Sequence, residues 1–187
     1  MLKIAIIIGS TRPGRNGEAV GRWVHELASQ RDDATYELVD LKEINLPMLD
    51  EPVPAVMGKY TQPHTLAWAA KVAEFDGFVM VTPEYNHGPP AALKNALDYL
   101  FKEWNNKSVG FVGYGGAGGA RSVDQMREIV SNLELADVRT AVGLTLAHDF
   151  ENFSTFKPGA HQPGALNEML NQVVAWAGAL KHLRNAG

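Results

Sequence analysis

The sequence contains no cysteine. That absence excludes disulfides, thiol nucleophiles, thiolate-bound metals and cysteine-ligated iron–sulfur clusters. It agrees with a reducing compartment without requiring one. An excess of one charge is also missing. Lys and Arg number 17 against 21 Asp and Glu, a net charge of −4. Such a chain has no general attraction for nucleic acid or an anionic membrane, so any anion site must be local. Long apolar runs are lacking too. Ile4–Ile8 is too short for a membrane span or a signal segment and reads as a strand of a cytoplasmic protein. No group of His, Asp and Glu has metal-ligand spacing, so no metal is expected.

What is present is an ordinary globular mixture: 187 residues, 45% hydrophobic and 20% charged. That length suits a single domain over residues 1–187 with a full core. Leu2–Ile8, Gly77–Thr82, Ser108–Tyr114 and Val138–Leu146 are nearly continuous apolar runs, as strands buried on both faces require. Tyr36–Leu41 alternates more. Between them lie segments with helical spacing at about 17–29, 63–75, 91–104, 122–135 and 164–183. Alternating strands and helices imply right-handed crossovers and a doubly wound parallel sheet. The Pro-rich stretch Leu46–Pro54 and the segment His148–Pro163 read as loops.

Ligands of such sheets bind beyond the C-terminal ends of the strands. The loop after the first strand is Gly9-Ser-Thr-Arg-Pro-Gly-Arg-Asn-Gly17. Its glycine spacing fails the dinucleotide pattern G-x-G-x-x-G. It meets the spacing of a P-loop, but Arg15-Asn16 stands where Lys-Ser/Thr is needed. What remains is a hydroxyl-rich, Arg-bearing turn before a helix, suited to one terminal phosphate such as that of FMN. Asp40, ending the second strand, reads as an ordinary strand-terminal acid. The loop after the third strand begins Thr82-Pro-Glu-Tyr-Asn-His-Gly-Pro-Pro90. Its prolines stiffen it, and its peptide dipoles suit the edge of a planar heterocycle. A Gly-rich turn, Tyr114–Arg121, follows the fourth strand.

The segments GSTRPGRNG and PEYNHGPPAALKNALDYL together resemble the NADPH-dependent FMN reductase family of flavodoxin-like proteins. That family includes quinone, azo-dye and chromate reductases. The resemblance implies a five-stranded parallel sheet in the order 2-1-3-4-5. It implies FMN as cofactor, NADPH (preferred) or NADH as co-substrate, and a small acceptor reduced in a ping-pong cycle. Ser10, Arg12, Arg15, Asn16 and Gly17 are then expected to hold the FMN phosphate. Pro83, Glu84, Tyr85, Asn86, His87 and Gly88 are expected to line the ring, with Gly115 and Gly116 closing its other side. Arg15 occupies a place where relatives carry Ser. Arg121, following the Gly-rich turn, is a candidate NADPH contact. Hydride chemistry carried by FMN needs no catalytic side chain, and His87 is not read as one. The family also implies a homodimer, with a tetramer as the larger alternative and Lys94 and Asp98 near the interface. The rival readings are a non-enzymatic flavodoxin-type electron carrier, an FMN-binding regulatory protein and, last, a nucleotide hydrolase.

Overall fold

The structure is a computed structural model and describes residues 1–185. Five parallel strands form its sheet: β1 (Leu2–Ile8), β2 (Ala34–Asp40), β3 (Gly77–Pro83), β4 (Lys107–Gly115) and β5 (Leu135–Thr145). Their spatial order is β2-β1-β3-β4-β5, the flavodoxin-like order expected. Every pairing in this sheet is parallel, as Ile8 opposite both Asp40 and Val81 illustrates.

Burial on both faces explains the unbroken apolar runs. All seven residues of β3 are buried, as are eight of the nine in β4. Along β1, Ala5 and Ile7 face one layer while Ile4 and Ile6 face the other. The first layer contains α3 (Pro63–Ala73), α4 (Ala91–Asp98) and α5 (Ala120–Asn132), which contribute Trp68, Val72, Leu93, Leu97 and Met126. The second contains α1 (Gly17–Ala28) and α6 (Gln162–Asn185), with Val20, Val24, Met169, Leu170 and Val173. Fully burying a side chain of this size contributes roughly 1.5–3 kcal/mol, so the two layers supply the main stabilisation. Edge strand β2 is only half-buried, which is why its pattern alternates.

Four features depart from the sequence expectation. The helix after Pro90 stops at Asp98, not near Trp104. Two buried indoles take its last carbonyls: Trp68 Nε1 donates to Ala96 O at 2.9 Å and Trp104 Nε1 to Leu97 O at 3.2 Å. β5 starts at Leu135, three residues before Val138, because Glu134 adopts a left-handed turn (φ 53) that releases the chain from α5. A short helix, α2 (Leu41–Ile44), follows β2, its first turn capped by Asp40 accepting Lys42 N–H at 2.9 Å. Finally, the segment read as a loop contains a small antiparallel hairpin, β6 (Phe150–Glu151) and β7 (Thr155–Phe156).

Candidate functional site

The ends of β1, β3, β4 and β5 meet around one cleft of ≈ 390 Å³. It is lined from the first loop by Arg12, Gly14, Arg15 and Asn16, and from the third by Pro83, Glu84 and Tyr85. Tyr114, Gly115 and Gly116 come from the end of β4, and Leu146, Phe153 and Ser154 from the segment after β5. Eight of the expected residues therefore share one cavity: Arg12, Arg15, Asn16, Pro83, Glu84, Tyr85, Gly115 and Gly116. Ser10 lies just behind its wall, fully buried, with Oγ 2.7 Å from the Tyr85 hydroxyl and accepting Arg12 N–H at 3.4 Å. A larger cavity of ≈ 440 Å³ lies beside Thr11, Lys42 and Asn95. None of its lining residues carries an orphaned buried polar atom, whereas the first cavity gathers several.

Gly17 opens α1 hard against β4. A Cβ there would stand 2.5 Å from the Tyr114 hydroxyl, which fixes glycine at this helix start. Asn16, the preceding residue, makes no side-chain cap and instead points Nδ2 at the Phe153 carbonyl, 3.4 Å away. Arg15 is nearly enclosed, its side chain 5% exposed. One edge of its guanidinium is committed to Asp40, with Glu18 at 3.9 Å. Asp40 thus serves Arg15 and the start of α2. Arg12 is exposed and forms no ion pair among the described residues.

In the third loop, Tyr85 and Gly88 bond to each other through both backbone pairs, at 2.9 and 3.0 Å. The two residues between them, Asn86 (φ 50) and His87 (φ 69), are left-handed, the conformation of a type I′ hairpin turn. Non-glycine residues held there mark local strain. Asn86 and His87 are exposed at the tip, beside the cavity and not in its wall. Gln125 Nε2 braces the turn at the His87 carbonyl, 2.7 Å away. Glu84 accepts both the backbone N–H (3.1 Å) and the guanidinium (2.9 Å) of Arg121. Burial alone would raise the Glu84 carboxyl, but Arg121 prevails and holds it below the usual carboxylate range. Arg121 is therefore half-exposed and paired at the rim. Burial, with Tyr85 nearby, pushes the Tyr114 phenol well above its ordinary value, so it is a neutral donor.

Tyr114 O–H and Arg15 Nε and Nη1 are buried, in the cleft's lining, and without a partner. Buried donors without acceptors are uncommon and call for an explanation. An anionic ligand rich in acceptors, such as the phosphate and ribityl chain of FMN, fits them. Tyr114, Leu146, Phe153 and Ser154 were absent from the sequence expectation. Tyr114 stands in the sequence at the junction of the fourth strand and the Gly-rich turn, where only Gly115 and Gly116 are expected to meet the ring, and Phe153 carries no signal in a segment read as loop.

A family model described as NADPH-dependent FMN reductase matches residues 2–149. The chain belongs to this family. Its relatives include an NAD(P)H-dependent FMN reductase of Schizosaccharomyces pombe, 45% identical over 149 residues, 79% of this chain and 74% of the other. A quinone reductase of Escherichia coli (strain K12) is 32% identical over 141 residues, 71% of each chain. Among solved structures, the flavoenzyme NAD(P)H:(acceptor) oxidoreductase FerB from Paracoccus denitrificans superposes with a TM-score of 0.75. That match covers 96% of this chain and 98% of the other at 17% identity, a likeness of fold. As an FMN reductase the protein is an oxidoreductase that uses FMN and NAD(P)H. Among the described residues no group of three or more His, Asp or Glu could hold a metal ion, and no helix is long and apolar enough to cross a membrane.

Proposed function

We propose that the cleft between the four loops holds FMN as the working group of an NADPH-preferring reductase of quinones or free flavin. The observation that carries this is the convergence of the unpaired Arg12 with the orphaned donors of Arg15 and Tyr114 in one cavity. Ser10, Arg12, Asn16 and the start of α1 at Gly17 hold the phosphate through hydroxyl, guanidinium and unpaired backbone N–H groups. Arg15, with one edge locked by Asp40, offers its unpaired Nε and Nη1 to the same anion. The stiff turn from Pro83 to Gly88 lies along the ring edge, with Gly115 and Gly116 opposite. When bound, FMN supplies the redox chemistry, accepting a hydride from NAD(P)H and passing electrons to the acceptor. The chain supplies placement and field. The Asn86 and His87 N–H groups have no backbone acceptor among the described residues. Preorganised in a strained turn, they favour negative charge at the ring edge. No side chain needs to be covalently reactive.

Arg12 and Arg121 at the rim support a preference for the 2′-phosphate of NADPH. Relatives named FMN reductase and quinone reductase support flavin or quinone as the acceptor. The same reading takes residues 1–187 as one domain acting in the cytoplasm as a homodimer. Its interface lies beside α4, where Lys94 and Asp98 pair on the surface at 2.6 Å. The test is the absorption spectrum of the purified protein under anaerobic conditions. A flavin band that bleaches on adding NADPH, and returns on adding quinone, is expected. Protein that carries no flavin and takes none up from added FMN overturns the reading.

A further inference from the structure

The hairpin β6–β7 begins one residue past the segment that the family model matches. It is firmly held at its base and strained at its tip. Asp149, 2% exposed, accepts N–H from Thr145 (2.8 Å) and Gly159 (2.9 Å) and the Gln162 amide (3.2 Å). Lys157 N–H returns to the Asp149 carbonyl at 2.8 Å, so one residue fastens both ends of the segment. Phe150 and Phe156 pack at 5.2 Å, and Phe156 meets Trp23 of α1 edge-on at 5.6 Å.

The tip contrasts with this base. Asn152 (φ 51) and Phe153 (φ 58) are both left-handed, closed by Ser154 N–H to Glu151 O at 3.2 Å. The second place of such a turn ordinarily takes glycine, and a Phe there is strained. The strained ring is not recovered by burial, since Phe153 is 68% exposed. It lines the same cleft as Arg12, Tyr85 and Gly116, and its carbonyl accepts from Asn16 Nδ2 of the phosphate loop at 3.4 Å. An aromatic group on a rigid arm over a cavity, unfavourable in both backbone and solvation when alone, needs an occupant to cover.

We propose that the β6–β7 hairpin is a clasp: Phe153 closes the cleft over the flavin nucleotide and makes FMN a retained group instead of an exchanging substrate. This rests on FMN occupying the cleft, as proposed above. A flat, apolar ring flanking the nucleotide slows its release without adding a charged contact, because aromatic packing acts only once the ligand is in place. With the nucleotide held in the cleft, acceptors, free flavin among them, would come and go while the bound FMN stays.

The test uses the flavin-loaded protein. FMN release after dilution is followed by recovery of free-flavin fluorescence, in the wild type, Phe153→Gly and Phe153→Tyr. Phe153→Gly should release FMN about tenfold faster with an unchanged association rate, while Phe153→Tyr stays near the wild type. Thermal unfolding of the flavin-free proteins separates this from a folding defect. Phe153→Gly should unfold no lower than the wild type, since glycine suits the left-handed position. Equal release rates from loaded wild type and Phe153→Gly overturn the clasp and leave the flavin site standing. A wild type that binds no FMN overturns the site itself.

Discussion

The two ends of the parallel sheet are finished in opposite ways. At the end where the strands begin, buried charges have partners within the fold. Asp76 accepts Lys3 N–H at 3.0 Å and takes Lys181 at 3.1 Å and Arg184 at 2.5 Å. Lys107, 4% exposed, gives its ammonium to the Val72 carbonyl at 2.8 Å over the face of Phe78. At the end where the strands finish, partners are missing. Arg15, Tyr114 and Thr145 carry buried polar atoms with no acceptor or donor, and the only other such atom among the described residues is Thr65 Oγ1 in α3. Two turns at this end hold four non-glycine residues in left-handed conformations, in adjacent pairs at turn tips, whereas the single ones at the other end, Asn106 and Glu134, lead directly into β4 and β5. The same sheet is thus sealed where stability is made and left incomplete where a ligand completes it.

The contrast can be broken by moving the wrong property at either end. The largest effect is expected at the sealed end. Asp76→Ala leaves Arg184 and Lys181 without their carboxylate and should lower the unfolding free energy by about 3 kcal/mol. FMN affinity of the folded variant should stay the same; urea denaturation and flavin titration measure the two. A pH dependence comes with it. Burial would raise the Asp76 carboxyl, but Lys3 N–H, Lys181 and Arg184 outweigh that and lower it below its ordinary 3.8. Its folded value is the lower one, so its stabilisation is complete above pH 3.8 and is lost as pH falls through the folded value. Acid titration of stability should therefore be flatter in Asp76→Ala than in the wild type.

At the open end the effects should separate the other way. Ser10→Ala combined with Arg12→Ala should weaken FMN by about 2.5 kcal/mol, from lost charge-assisted and hydroxyl hydrogen bonds. The flavin-free protein should lose about 1 kcal/mol of stability, because the internal bonds removed are the Ser10–Tyr85 bond and the long one from Arg12 N–H to Ser10. Full retention of FMN by the double variant would remove the first loop from the site. The smallest effect sharpens the comparison at the strained turn. His87→Gly relieves a left-handed residue at some cost in unfolded-chain entropy, for a net gain of about 0.5 kcal/mol. A clear loss of stability would mean that the exposed imidazole is structural.

Much of this was legible beforehand, for reasons specific to each segment. β1, β3 and β4 are covered on both faces, so their composition alone marks them. The loops after them stand out because prolines and glycines there are demanded by backbone geometry. The end of α4 was not legible, because it is decided by Trp68 and Trp104, indoles distant from or beyond the helix that claim its carbonyls. Arg15 was readable as a cation near the first loop. Its pairing with Asp40, 25 residues on, depends on β2 lying beside β1. The β6–β7 hairpin gave no warning, since each strand is two residues long and its turn uses Asn-Phe where Asn-Gly is the usual signal.

The Asp76 cluster also has a bearing on biosynthesis. It joins the first strand to the last helix, with Lys3 and Arg184 meeting at one carboxylate. Because the strands emerge as 1, 2, 3, 4 and 5 and sit as 2-1-3-4-5, each new strand from the third onward meets an edge already made. No strand must be threaded between two earlier ones. The final helix arrives after all of them and covers β4 and β5 while its end reaches back to Asp76. Synthesis and assembly can run in the same direction, and the ion pairs to Asp76 form only after Arg184 has emerged, later than every strand of the sheet.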